Sequence, residues 1–271
     1  MIDIRNISFE YDKSREVFHN FSMSIGENRI CGLLGKNGTG KSTLLYLICG
    51  LLRPTRGDIR IDGTPVGRRL PDMLSEMYIV PEEFDLPPIS LDLYVKTNRA
   101  FYPRFSRETL ERCLSDFELP LQLKLDRLSM GEKKKVVMSF ALATNTKMLF
   151  MDEPTNGLDI PSKSQFRRAI AGNMNEERTL IISTHQVHDI EQLLDHILIL
   201  DRSRVWLDAS VADICNRYTF GYRLPSEMTD DVIYAEPTLQ GNAVIARRGE
   251  GEPETQLNLE LLFTAAVKGL L

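Results

Sequence analysis

Residues Gly35-Lys36-Asn37-Gly38-Thr39-Gly40-Lys41-Ser42-Thr43 fit the pattern G-x-x-x-x-G-K-[ST] over its whole length. A glycine-rich turn set between a strand and a helix lets several backbone N–H groups converge on one point. That point lies at the positive end of the helix dipole, where an anion is favoured. The matching chemistry is the grip of a nucleotide's phosphate chain. Lys41 is suited to the β- and γ-phosphates, and the Ser42 hydroxyl to Mg²⁺.

Three further groups carry chemistry. Asp152-Glu153 follow the apolar run Met148-Leu149-Phe150-Met151, and two carboxylates at the end of a buried strand are costly unless a metal, a water or a base role uses them. Ser129 and Gly131, in Leu128-Ser129-Met130-Gly131-Glu132, stand where a helix starting near Glu132 would offer a second anion site. His185 ends the run Thr179–Thr184 and, taken alone, reads as an ordinary imidazole. Tyr11, on a loop after a strand, could stack on an adenine or merely cover a sheet edge. The run Lys133-Lys134-Lys135 reads as a solvated helix face.

The elements that must position these residues follow from hydrophobic periodicity. Arg29–Leu34 reads as a buried strand before the phosphate loop, and Lys41–Cys49 as a helix after it. Ahead of them, Ile2, Ile4, Ile7 and Phe9, then Phe21, Met23 and Ile25, give strands that end at a turn, Gly26-Glu27-Asn28. Ile59 and Ile61 make a short strand closed by Asp62-Gly63, and Met77–Val80 makes another. From Leu91 to Leu125 the pattern turns helical, divided by Pro103 and Pro120. Further strands are expected at 148–151, 179–183 and 196–200, with a helix over 161–173 between the first two. Strand and helix alternating through short loops predict a mainly parallel sheet covered on both faces, an α/β fold that binds ligands at its strand carboxyl ends. Beyond residue 211 the signals weaken to a small β unit (Val232–Tyr234, Ala243–Ala246), a polar loop over 247–255 and a helical spacing over 257–271.

Composition bounds the rest. The 271 residues are 42% hydrophobic and 26% charged, ordinary for a globular chain, and the net charge of −5 argues against a broad nucleic-acid-binding face. Cys31, Cys49, Cys113 and Cys215 lie far apart, which favours buried free thiols over disulfides or zinc ligands. No stretch approaches the roughly 18 apolar residues of a spanning helix, so a cytoplasmic protein that meets the membrane through a partner is expected.

With these motifs in order, the chain resembles the nucleotide-binding subunit of ATP-binding cassette (ABC) transporters over roughly residues 1–210. The run Phe101-Tyr102-Pro103-Arg104-Phe105 and the separate tail resemble the ATPase subunits of ABC-2-type exporters. The resemblance implies a P-loop ABC ATPase fold with an N-terminal antiparallel part, a helical subdomain inserted at about 84–127, and a small α+β extension over 211–271. It implies Asp152 holding Mg²⁺ through water, Glu153 as general base, and His185 at the γ-phosphate. Tyr11 would stack on adenine, and Asp159 would lie at the seam between two protomers. Ser129 and Gly131 would grip ATP held by a second cassette, in a homodimer or heterodimer that drives a membrane permease.

Three positions depart from the family pattern. Glu82 stands where Gln is usual; it can still ligate Mg²⁺ but adds negative charge beside the phosphates. Met130 replaces the first signature glycine, and Glu132 replaces the signature Gln. Two other readings are a soluble ABC ATPase acting on ribosomes or nucleic acid, and an ATP-gated interaction protein with little turnover. The first lacks the second cassette or long coiled-coil insertion usual there; Glu153 and His185 argue against the second. A kinase or GTPase would not explain the Leu-Ser-x-Gly segment.

Overall fold

A computed structural model describes residues 1–12, 16–27 and 29–271. Asn28 of the expected turn lies outside the described residues. The chain opens with β1 (Ile2–Glu10) and β2 (Glu16–Ile25), then β3 (Ile30–Leu34) and α1 (Lys41–Ile48). Next come β4 (Arg56–Ile61), β5 (Thr64–Pro65), the single turn α2 (Pro71–Leu74) and β6 (Met77–Val80). The helical stretch holds α3 (Leu91–Asn98) and α4 (Arg107–Asp116), and is followed by α5 (Met130–Ala143). The sheet then resumes with β7 (Met148–Asp152), α6 (Ile160–Ala171), β8 (Thr179–Thr184), β9 (His196–Asp201) and β10 (Arg204–Ser210).

Two sheets build this part. One is antiparallel, in the order β2-β1-β4-β5; the other runs β10-β9-β3-β8-β7-β6, parallel except for the edge strand β10. Period-two alternation sends neighbouring residues to opposite faces. Leu149 and Met151 of β7 join a core with α5 and α6, while Met148 and Phe150 join the core of α1 and the antiparallel sheet. Both faces of the parallel sheet are therefore covered, which is why its strands read as continuous apolar runs.

The helical stretch is fastened to this frame at the run 101–105. Tyr102 and Phe105 pack on Phe140 of α5, with ring centroids 6.2 and 5.4 Å away, and Tyr78 of β6 joins them. Arg104 pairs with Glu76, and the Ser106 N–H donates to the Ala143 carbonyl at 2.8 Å. Arg178 is fully buried with no carboxylate at hand. Its guanidinium instead donates to the carbonyls of Leu142, Thr146 and Asn173 and to Asn145 Oδ1, at 3.1–3.2 Å. It thereby bonds carbonyls at or just beyond the C-terminal ends of α5 and α6.

After β10 come α7 (Val211–Arg217), β11 (Tyr218–Arg223), β12 (Val232–Thr238), β13 (Gly241–Arg247) and α8 (Leu259–Val267). The three strands form an antiparallel sheet in the order β11-β13-β12. Sequence periodicity anticipated β12, β13 and α8 but not α7 or β11. The glycine and polar residues of Tyr218–Arg223 hide a strand that exists because β13 pairs with it along its length. Helix α8 packs on the segment after His185: Leu259 and Leu262 share a core with Val187 and Ile190. There the Leu259 N–H also donates to Glu191 Oε1 at 2.7 Å. All four cysteines are buried free thiols.

Candidate functional site

The loop 35–40 leaves β3 and enters α1. Strand pairing sets Leu34 beside Thr184 and Asp152 beside Ser183, so three adjacent strands end at one rim. Gly40 caps α1 at φ 102°, and a Cβ there would lie 2.9 Å from Val17 and Phe18, so only glycine fits. Lys41, the first residue of α1, is buried; its ammonium donates to the Gly35 carbonyl at 2.8 Å and the Lys36 carbonyl at 3.2 Å. It also lies 3.7 Å from Glu153 Oε1. Burial draws the Lys41 pKa below the usual lysine value, against the pull of Glu153 and Asp152. The Thr39 hydroxyl donates to the Lys36 carbonyl at 2.9 Å and closes the loop.

Tyr11, Asn37, Gly38, Gly40, Lys41, Ser42, Thr43, Glu82, Glu153 and His185 line one cavity of about 900 Å³. Its volume is at the upper end for small-molecule sites. Gly35, Lys36 and Thr39 frame the loop behind it. Tyr11 is half exposed and its hydroxyl is 3.1 Å from Thr43 Oγ1. Asp152 lies behind Ser42: Oδ1 accepts a short hydrogen bond from Ser183, and Oδ2 is buried with no hydrogen-bond partner among the described residues. Burial raises the Asp152 pKa, partly offset by Ser183 and Ser42.

Glu153 is 4% exposed and has a left-handed backbone, φ 45°. Oε1 accepts from the His185 N–H at 3.0 Å and pairs with Nδ1 at 2.8 Å; Oε2 accepts from the Thr184 hydroxyl at 2.9 Å. Glu82 Oε1 accepts from Asn156 Nδ2 at 2.9 Å.

Ser129, Gly131 and Asp159 are not in this cavity. Ser129 caps α5, which therefore starts at Met130 rather than near Glu132. Glu132 Oε2 accepts from the Ser129 N–H at 2.8 Å and hydroxyl at 2.7 Å, a reciprocal capping box that lowers the Glu132 pKa. The carboxylate expected to add charge near nucleotide thus has a local structural partner. Met130 points to solvent, and a Cβ at Gly131 would meet nothing within 4 Å. Asp159 caps α6 by accepting from the Ser162 N–H at 2.9 Å.

Sequence reasoning missed several contributors, Glu16 and Val17 at the cavity wall among them. Asn156 and Arg202 line the cavity, and Ser183 and Thr184 hold the two carboxylates. Two hydroxyls directly before His185 at the end of an apolar strand were a usable signal for the last pair; Arg202 had none. Lys134 is also a correction: it is buried rather than solvated. Its position on α5 turns it away from Lys133 and Lys135 and under the loop after β7.

The sequence profile of the ABC transporter family matches residues 18–156. The chain is 31% identical over 232 residues to the methionine import ATP-binding protein MetN of Carboxydothermus hydrogenoformans, covering 79% of this chain and 67% of that one. It is 29% identical to the Nod factor export ATP-binding protein I of Burkholderia orbicola, covering 75% and 68%. Among solved structures, the ATP-binding cassette MJ0796, a dimer bound to ADP and Pi, shares its fold with a TM-score of 0.67 at 24% identity, covering 78% of this chain and 99% of that one. The family match includes the phosphate loop, the signature segment and the Asp152-Glu153 strand end, and the geometry brings loop and strand end to one rim. The chain belongs to the ABC transporter family, as an ATP-binding, ATP-hydrolysing subunit.

Proposed function

We propose that this subunit powers export through a separate membrane permease. Two cassettes, alike or different, would close head to tail around two ATP molecules and reopen after hydrolysis. The observation that carries the hydrolytic reading is the Glu153 carboxylate, buried at the cradle, 3.7 Å from Lys41 and held by His185. Glu153 takes a proton from the attacking water as that oxygen bonds the γ-phosphorus, and the bond to ADP breaks. Lys41 and the loop N–H groups offset the charge on the phosphates; His185 faces the γ-phosphate, and Tyr11 meets the adenine.

Among the described residues no three His, Cys, Asp or Glu side chains cluster to hold a metal. That suits Mg²⁺, which keeps water and phosphate oxygens as ligands and needs few from protein. The orphaned Asp152 Oδ2, with Ser42 and Glu82 beside it, fits that requirement. Mg²⁺, when bound, would neutralise charge on the β- and γ-phosphates.

Closure would seat Ser129 and Gly131 on ATP of the opposite cassette and Asp159 at the seam. In support, Met130 and Ile160, beside those residues, are 56% and 84% exposed, apolar surface that a partner would cover. MJ0796, of like fold, is a dimer bound to ADP and Pi. The helical insertion at about 84–127 would pass the motion to the permease, with the protein lying against the inner face of the membrane. Residues 211–271 would form a separate extension. Among the described residues no helix is long and apolar enough to cross a membrane. No nucleic acid is expected as a partner.

Relatives of both directions occur, and the run 101–105 favours the exporters. The test is affinity purification in mild detergent. A multi-spanning protein in near-stoichiometric amount supports the reading; ribosomal proteins or nucleic acid instead would overturn it. Direction follows from cells carrying Glu153→Gln, which should accumulate the exported compound rather than lose it.

A further inference from the structure

Lys134 is 7% exposed, and its ammonium donates to the Asn156 carbonyl at 2.7 Å and the Glu153 carbonyl at 3.4 Å. A buried ammonium is costly unless its protons are used. Here they are spent on both ends of one tight turn, which the Asn156 N–H closes by donating to the Glu153 carbonyl at 3.2 Å. The turn needs that support. Glu153 has φ 45°, a conformation that a long side chain keeps only when its surroundings over-determine it. The Asn156 side chain extends the connection by donating to Glu82. Burial lowers the Lys134 pKa, while Glu82, then Glu153 and Asp152, oppose that shift.

We propose that Lys134 is a positioning residue for hydrolysis: its ammonium clamps the turn 153–156 so that the Glu153 carboxylate keeps its aim into the phosphate cavity. The inference rests on Glu153 acting as the base. Lys134 also belongs to α5, the helix that Ser129 caps. One side chain thus ties the signature segment to the base. It also connects to Glu82, the extra carboxylate of this chain, through Asn156.

The test compares Lys134→Met, Lys134→Arg and Glu153→Gln in the full chain. Lys134→Met should lower kcat about 10- to 100-fold and leave KM for ATP within about threefold. Lys134→Arg should recover most of the rate, and adding Glu82→Gln to Lys134→Met should recover part. Hydrogen exchange in Lys134→Met should quicken at the Asn156 amide and stay unchanged in β9. An unchanged kcat would overturn the clamp, as would a loss accompanied by faster exchange throughout the chain. If Lys134→Met does not fold, Lys134→Gln, which removes the charge but keeps an amide donor group, takes its place with the same expected split. Should Glu153→Gln hydrolyse at the normal rate, the base reading fails; should it be inactive while Lys134→Met is normal, the clamp alone fails.

Discussion

Glu153 Oε1 accepts from the His185 backbone N–H at 3.0 Å and pairs with its ring Nδ1 at 2.8 Å. Base and histidine, 32 residues apart in the chain, therefore act as one unit. Glu153→Gln should lower ATP turnover about 10²- to 10⁴-fold, the share usual for a general base, while fluorescent-nucleotide titration shows ATP still bound. His185→Ala frees the carboxylate from its ring partner and should also slow turnover, by a smaller factor. A normal rate in either variant would remove that residue from the mechanism.

Glu82 is a carboxylate beside a site built for phosphates. Glu82→Gln removes a like charge and keeps a group that can accept from Asn156 Nδ2. The KM for ATP should fall severalfold at low salt, equivalent to about 1 kcal/mol. The gain should shrink as ionic strength rises, because the repulsion it relieves is screened. A gain independent of salt would mean that charge is not the cause.

Glu132 acts through the cap of α5. Ser129→Ala, which removes the side-chain acceptor of that cap, should cost about 1 kcal/mol in urea unfolding. Glu132→Gln should cost little, since the amide oxygen can still accept from the Ser129 N–H. Equal losses in both variants would show that the carboxylate charge matters beyond the cap.

Asp152 pays for function with stability. Burial holds its pKa above the usual carboxylate value of 3.8, so the folded state keeps a proton that the unfolded chain releases. The sign is then fixed. As pH rises through that window the unfolded state binds fewer protons, and stability falls. Asp152→Asn, without metal or nucleotide, should melt higher than the parent at pH 7, and the difference should vanish below the unfolded pKa. Hydrolysis should be lost in the same variant. A parent that melts higher than Asp152→Asn at neutral pH would contradict the burial argument.

Leu262 is fully buried where α8 meets the segment after His185. Leu262→Ala should cost about 2–5 kcal/mol and speed hydrogen exchange over residues 187–194. If exchange changes only within 211–271, the helix does not brace that segment.

The sequence alone determined the local chemistry. The spacing of Gly35 to Thr43, the Asp152-Glu153 pair after an apolar strand and Ser129 at a helix start are each written in a few consecutive residues. Backbone geometry follows directly from such short patterns, so the phosphate loop, the helix start after Ser129 and the α/β alternation were legible. Tertiary structure decided what depends on distant pairing. Strand order set β3, β8 and β7 side by side and so joined Glu153 to Thr184 and His185. Strand β11 exists because β13 pairs with it. Lys134 looked like one of three surface lysines, yet its helical phase sends it under the turn at 153–156, where two carbonyls await a donor. Burial is a property of what packs against a side chain, and no window of neighbouring residues contains it.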